Sequence, residues 1–224
     1  MNSANHTMRM GTSILLGMIL GSYVFISNAE GSDLNSLSRI NDHIEIGDNE
    51  QVGNVSTVNG GVILHCGVKA QHVDTVNGHV KVQNEVAALS LKTINGAISL
   101  GNNVTIEGDI HSINGAIDIA RSSLVQGDVH SVNGNISIHG ATIINDLQTS
   151  NGDIFLSAGS TVNGDLLVEG NYSLLDRILN YSGKRKPVLR IDAGTVINGD
   201  IHLHQEVDLL IDEDATVGKI HHHY

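Results

Sequence analysis

Residues 93–100 read Thr93-Ile94-Asn95-Gly96-Ala97-Ile98-Ser99-Leu100, and the same grammar returns along most of the chain. The Asn-Gly pair recurs at Asn59-Gly60, Asn77-Gly78, Asn95-Gly96, Asn114-Gly115, Asn133-Gly134 and Asn151-Gly152, in steps of 18, 18, 19, 19 and 18 residues. A fixed period of about 20 residues is the signature of a solenoid, in which each repeat is one coil of backbone laid on the last.

Aligning the repeats on the Asn exposes the other columns. Just before it stand Val58, Val76, Ile94, Ile113, Val132 and then Ser150, and one residue earlier Thr57, Thr75, Thr93, Ser112, Ser131 and Thr149. Four residues before it come Val55, Val73, Leu91, Ile110, Val129 and Leu147. Three after it come Val62, Val80, Ile98, Ile117, Ile136 and Ile154; five after it, Leu64, Val82, Leu100, Ile119, Ile138 and Leu156. A spacing of two is that of a strand with one buried face. A less regular apolar stretch follows at Val68, Val86, Val104 with Ile106, Leu124, Ile143 and Val162, and the nineteenth residue of the longer repeats falls at that corner.

No 3.6-residue pattern competes within the repeats. The columns predict an all-β chain: a single three-sided parallel β-solenoid of about nine rungs of 18–19 residues, its handedness open with right-handed favoured. Asn41, 18 residues before Asn59, begins the series. Thr161 to Leu166, Val188 to Ile201 and Leu209 to Ile220 continue it. At ~4.8 Å per rung the rod is roughly 40 Å long.

Composition agrees. The chain of 224 residues holds 25 Gly, one Pro, no Trp, four Tyr and two Phe, so Val, Ile and Leu must build the core. The one aromatic within the regular rungs, Phe155, is expected in an inward column. Cys66 is the only cysteine, so no internal disulfide forms.

The N-terminus reads as an export signal. Arg9, or a start at Met8, precedes an apolar run from Ile14 to Ile26, and Ser27-Asn28-Ala29 is a small-residue cleavage site. That run is shorter than the ~20 residues that span a bilayer. Cleavage after Ala29 is expected, with an uncleaved anchor as the alternative; no Cys follows it to make a lipoprotein. Its loss removes one of the 12 Lys and Arg and none of the 24 Asp and Glu, taking the formal charge from −12 to −13. Such acidity argues against nucleic acid or anionic lipid as the general partner. The expected organisation is a signal at 1–29, a lead-in at 30–40, the solenoid at 41–220 and a His-rich tail at 221–224.

The repeat is interrupted between Asn171 and Pro187. Leu174, Leu175, Ile178 and Leu179 fall on one helical face there, and Lys184, Arg185 and Lys186 form the chain's one basic cluster. This 171–187 insertion either packs on the flank of the rod or docks a partner. It and the N-terminal segment are the only expected membrane contacts.

Three columns invite chemistry. The Asn-Gly column is read as a tight corner at which Gly, and next to it Asn, tolerates positive φ, with Asn side chains bonded along the stack. The Thr/Ser column is read as a hydroxyl ladder. Asp109, Asp128, Asp146, Asp165 and Asp200 share one corner; carboxylates ~5 Å apart repel, so they either cap backbone N–H groups or share a weakly bound divalent cation. Of 13 His, His111, His130 and His202 share an outward column, and His221-His222-His223 suits opportunistic transition-metal capture. A closed four-ligand shell of the structural zinc kind is not legible.

No enzyme is indicated. Lys69, Lys81, Lys92 and Arg121 are scattered over different columns, and aromatic platforms for sugar are lacking. Residues 93–98 and 105–110 look locally like the hexapeptides of left-handed acyltransferase solenoids, but the 19-residue steps break that phase.

Ile106-Glu107-Gly108-Asp109-Ile110 and Val125-Gln126-Gly127-Asp128-Val129 resemble the Gly-Asp-Ile corners of bactofilins, polymer-forming β-helices. The Thr-Val-Asn-Gly series resembles the repeats of adhesin-like β-repeat proteins of bacterial envelopes. These resemblances imply a non-enzymatic structural or adhesive module, in the periplasm, at the outer membrane surface or secreted. Its partner would be an envelope protein or polysaccharide. A self-assembling bactofilin-like scaffold is the first alternative, and a carbohydrate-active β-helix enzyme the second.

Overall fold

The computed structural model describes residues 34–170 and 185–224, and every element among them is a β-strand. The signal segment, residues 30–33 of the lead-in and residues 171–184 of the insertion lie outside the described residues. All strand pairs are parallel, and each rung lies in register on the next, so the chain is a β-solenoid of about nine turns.

Three faces are present. The first carries the column Leu37, Val55, Val73, Leu91, Ile110, Val129, Leu147, Leu166, Ile201 and Ile220, each paired with the next. The second is a nine-stranded sheet from Ile44–Ile46 to Asp208–Ile211. The third is built from short strands such as Thr105–Ile106, Leu124–Val125 and Thr142–Ile143. First and third faces join as one 15-stranded sheet because Lys69–Thr75 and Ala87–Thr93 run unbroken through their shared corner. Ala88 and Leu91 both lie buried in that strand, with only Leu89 and Ser90 between them. One rung on, Glu107, Gly108 and Asp109 separate Ile106 from Ile110, and the added residue breaks the strand into a corner.

The interior is aliphatic. Val62, Ile98, Ile117, Ile136 and Ile154 are fully buried, as are Leu64, Ile119, Ile138 and Leu156 beside them. Burying each such side chain stabilises by about 1.5–3 kcal/mol, which a stack repeats at every rung. Two expectations are corrected. Phe155 stands between buried Ile154 and Leu156 and is half-buried on the outer side, because alternation places it there. On the third face Leu124 turns outward and Val125 inward, continuing Ala70, Ala88, Ile106, Ile143, Val162 and Ile197; Val68, Val86 and Val104 belong to a separate buried column.

The three corners use three different devices. At the Asn-Gly corner the glycines are required by close approach rather than by φ. A Cβ on Gly78, Gly96, Gly115, Gly134 or Gly152 would overlap the carbonyl oxygen of the corner glycine one rung below. The left-handed residues lie instead between the second and third faces, at Asn49, Gly67, Glu85, Asn103, Ser122 and Gly140 among others. The third corner is the Gly-Asp column.

The coil also reaches past both expected ends: Leu37–Arg39 pairs with Val55–Thr57, and Ile220–His222 with Ile201–Leu203. The terminal histidines are therefore part of a rung.

Candidate functional site

Asn side chains bond along the rod from Asn41 through Asn59, Asn77, Asn95, Asn114 and Asn133 to Asn151, at 2.8–2.9 Å. The neighbouring hydroxyls do not bond to one another as expected. Thr75 Oγ1 donates to the Gly60 carbonyl at 2.9 Å, and Thr93 Oγ1 to the Gly78 carbonyl at 3.0 Å. Ser112 and Ser131 repeat this toward Gly96 and Gly115. Each of these four hydroxyls thus caps the carbonyl that the glycine above must clear, whereas the buried Thr149 Oγ1 has no partner among the described residues.

The Asp column is in register. Asp109, Asp128, Asp146, Asp165 and Asp200 each accept, through Oδ1, the backbone N–H of the residue stacked above, at 2.8–3.2 Å. The last donor is Lys219. One oxygen of every carboxylate is engaged by a peptide N–H, which a divalent cation would have to share. Among the described residues, no three His, Cys, Asp or Glu donors converge on one point as their side chains stand.

The described part of the basic cluster is engaged within the chain. Arg185 Nη2 donates to Asp153 Oδ2 at 2.8 Å, and Lys186 Nζ lies 2.7 Å from Glu206 Oε2. Asp153 is buried and accepts the Val188 N–H through Oδ1. Lys184 lies outside the described residues. Across this stretch the register step is 35 residues, from Ile154 to Leu189, and Gln205 donates to the carbonyls of Ser150 and Glu169.

An open groove of about 410 Å³ lies on the first face, in the N-terminal half of the rod. Its floor is the outward column Ser56, Asp74, Lys92 and His111, with Arg39 at its end. Val58, Val76, Ile94 and Ile113 line one side, and Val58 and Ile94 are 40% and 41% exposed. This aliphatic ridge was visible in the sequence as the residue before each Asn, yet nothing in its pattern separated it from the core columns. His111 packs edge-on against His130, with ring centroids 4.8 Å apart. Burial, and after it the charges of His130 and Lys92, lower the His111 pKa; Asp109 opposes them.

Two His–Ser contacts also form across rungs, where linear spacing hides them. His72 Nδ1 lies 2.7 Å from Ser90 Oγ, and His139 Nδ1 lies 2.7 Å from Ser157 Oγ. Among the described residues, neither ring's second nitrogen meets a carboxylate within salt-bridge distance. The orienting acid of a triad is thus missing from both.

Comparison with protein-family models, curated proteins and solved structures returned no match to this chain. The class defined by the fold alone is the parallel β-solenoid.

Proposed function

We propose that the protein is an exported, non-enzymatic β-solenoid of the bacterial cell envelope that serves as a rigid binding or display module. The observation that carries this reading is the first-face groove. It presents a partly exposed aliphatic ridge beside a mixed floor of Asp74, Lys92 and His111, on a scaffold whose Asn-Gly and Gly-Asp corners are tied by hydrogen bonds between rungs. An aliphatic ridge without aromatic rings suits a polypeptide better than a sugar, so an envelope protein is the favoured partner over a polysaccharide. The adhesin-like repeat grammar and the signal-like N-terminus support the same compartment.

The test compares capture from envelope extracts by the wild type and by the double variant Val58→Ser, Ile94→Ser. A binder retained by the wild type and lost by the variant supports the groove as the docking face. Binders indifferent to both changes sink it. Export is checked separately by N-terminal sequencing of protein from cell fractions, expected to begin at Glu30.

A scaffold that assembles end to end is the second reading. The last rung leaves Leu209, Ile211, Val217 and Ile220 only partly covered. Strand edges open at a terminus invite pairing with another copy. Concentration-dependent filaments would favour this reading; a monomer at high concentration would count against it.

A further inference from the structure

The terminal histidines complete an array begun one rung earlier. Ile220–His222 pairs in register with Ile201–Leu203, which sets His221 beside His202. The next N–H, from His223, is donated to the Leu203 carbonyl. Residues i and i+2 of a strand share a face. His202 and His204 of one rung, with His221 and His223 of the next, therefore make a two-by-two array of imidazoles on the outer surface. Ring centroids lie 4.9 Å apart for His202–His221, 4.5 Å for His204–His223 and 5.5 Å for His202–His223.

We propose that these four histidines form a site for a divalent transition ion that prefers imidazole, of the zinc, nickel or copper class. His202 Nδ1 and His223 Nε2 are 3.2 Å apart. Two nitrogens each ~2.0–2.1 Å from one ion are themselves ~3.0–3.4 Å apart, so this pair already has the spacing of two ligands. The carboxylates behind the array set its tautomers. Asp200 Oδ2 accepts from His221 Nε2 at 2.9 Å, which leaves the lone pair of a neutral ring on Nδ1. Asp165 Oδ2, 3.7 Å from His202 Nε2, biases His202 the same way and frees the Nδ1 that faces His223. A carboxylate behind a ligating imidazole is the common outer-shell arrangement at metal sites.

The rings now stand stacked, and His204 or His221 must turn about its side-chain bonds to bring a third donor in. His204 and His223 are exposed and free of core packing. A bound ion would clip the last rung to the one before it.

The test titrates metal-free protein with zinc, nickel and copper salts separately, by calorimetry and by thermal melting. One ion per chain and a metal-dependent rise in Tm are expected, since a ligand that binds only the folded state stabilises it by mass action. His202→Ala and His204→Ala should each weaken binding about tenfold or more, and Asp200→Asn by about tenfold. His222→Ala should leave binding unchanged, because that ring is turned to the Tyr224 hydroxyl at 3.0 Å. Circular dichroism of the metal-free variants checks that each still folds. Binding indifferent to His202→Ala and His204→Ala, and so owed to residues 221–223 alone, overturns the proposal. So does the absence of saturable binding.

Discussion

The guanidinium of Arg185, itself largely in solvent, holds the carboxylate of Asp153, which is 5% exposed, at 2.8 Å. The strand Val188–Ile191 is thereby tied to a buried acid one rung below. Asp153 also takes the Val188 N–H, so it anchors both the side chain and the backbone of the returning segment.

Asp153→Ala is accordingly expected to cost about 1–3 kcal/mol, the penalty for leaving a buried donor unpaired together with a lost charge-assisted bond. Arg185→Ala should cost less, about 1 kcal/mol, because water reaches the guanidinium and screens the pair. Denaturant melts of the two single variants and the double variant check this. A double variant no worse than Asp153→Ala places the coupling in this pair.

Gly96→Ala should destabilise the rod by about 3 kcal/mol or more, since the new methyl would overlap the Gly78 carbonyl backbone and neither rung can shift without its neighbours. Asn95→Ala, which removes exposed amide bonds to Asn77 and Asn114, should cost only about 1 kcal/mol. Thermal melts of both variants check the order. Equal effects would mean that the corner tolerates a side chain after all.

That contrast also marks where sequence stopped being informative. The inward columns, the rung count and the Asp register were legible because side-chain alternation and a fixed period act within one strand. The reason for each corner was not. Gly96 reads the same whether it is needed for positive φ or for the approach of Gly78, and only the stacked backbone tells them apart. The partners of Ser90, Arg185 and His223 lie one rung or more away, at separations set by the coil rather than by local pattern. At Leu124 and Phe155 adjacent apolar residues blur the alternation that assigns a side chain to a face.

Ile117→Asp should abolish cooperative folding. Ile117 is fully buried between Ile98 and Ile136, and a carboxylate there has no partner to offset a desolvation cost of several kcal/mol. Loss of the far-ultraviolet β signal at 25 °C is the expected outcome. A folded variant with a normal melt would contradict the aliphatic stack.

Stability should fall on acidification. His111 has its pKa lowered from 6.5 in the folded state, so the unfolded chain binds a proton first as pH drops through that value. The stability present above about pH 6.5 is lost progressively toward the lower folded pKa. His130, Lys92 and Asp109 are its charged neighbours, and of these Asp109 alone opposes the shift. Melts between pH 8 and pH 5 should show a declining Tm, and His111→Gln should flatten that slope. An unchanged slope would assign the acid sensitivity elsewhere, the crowded His223 being the next group to test.

The Asp column sets two outcomes against each other in one substitution. Asp128→Asn keeps an oxygen to accept the Asp146 N–H and removes one negative charge from a stack of like charges. If the carboxylates serve only as acceptors, the variant should melt at the same temperature or slightly higher in low salt. The gain should vanish once salt screens the repulsion. A shared divalent cation reverses the sign: calcium would then raise the Tm of the wild type and raise that of Asp128→Asn less. Melts with calcium and with chelator, at matched ionic strength, separate the two. Because Oδ1 of every member of the column is already held by a peptide N–H, the first outcome is the expected one.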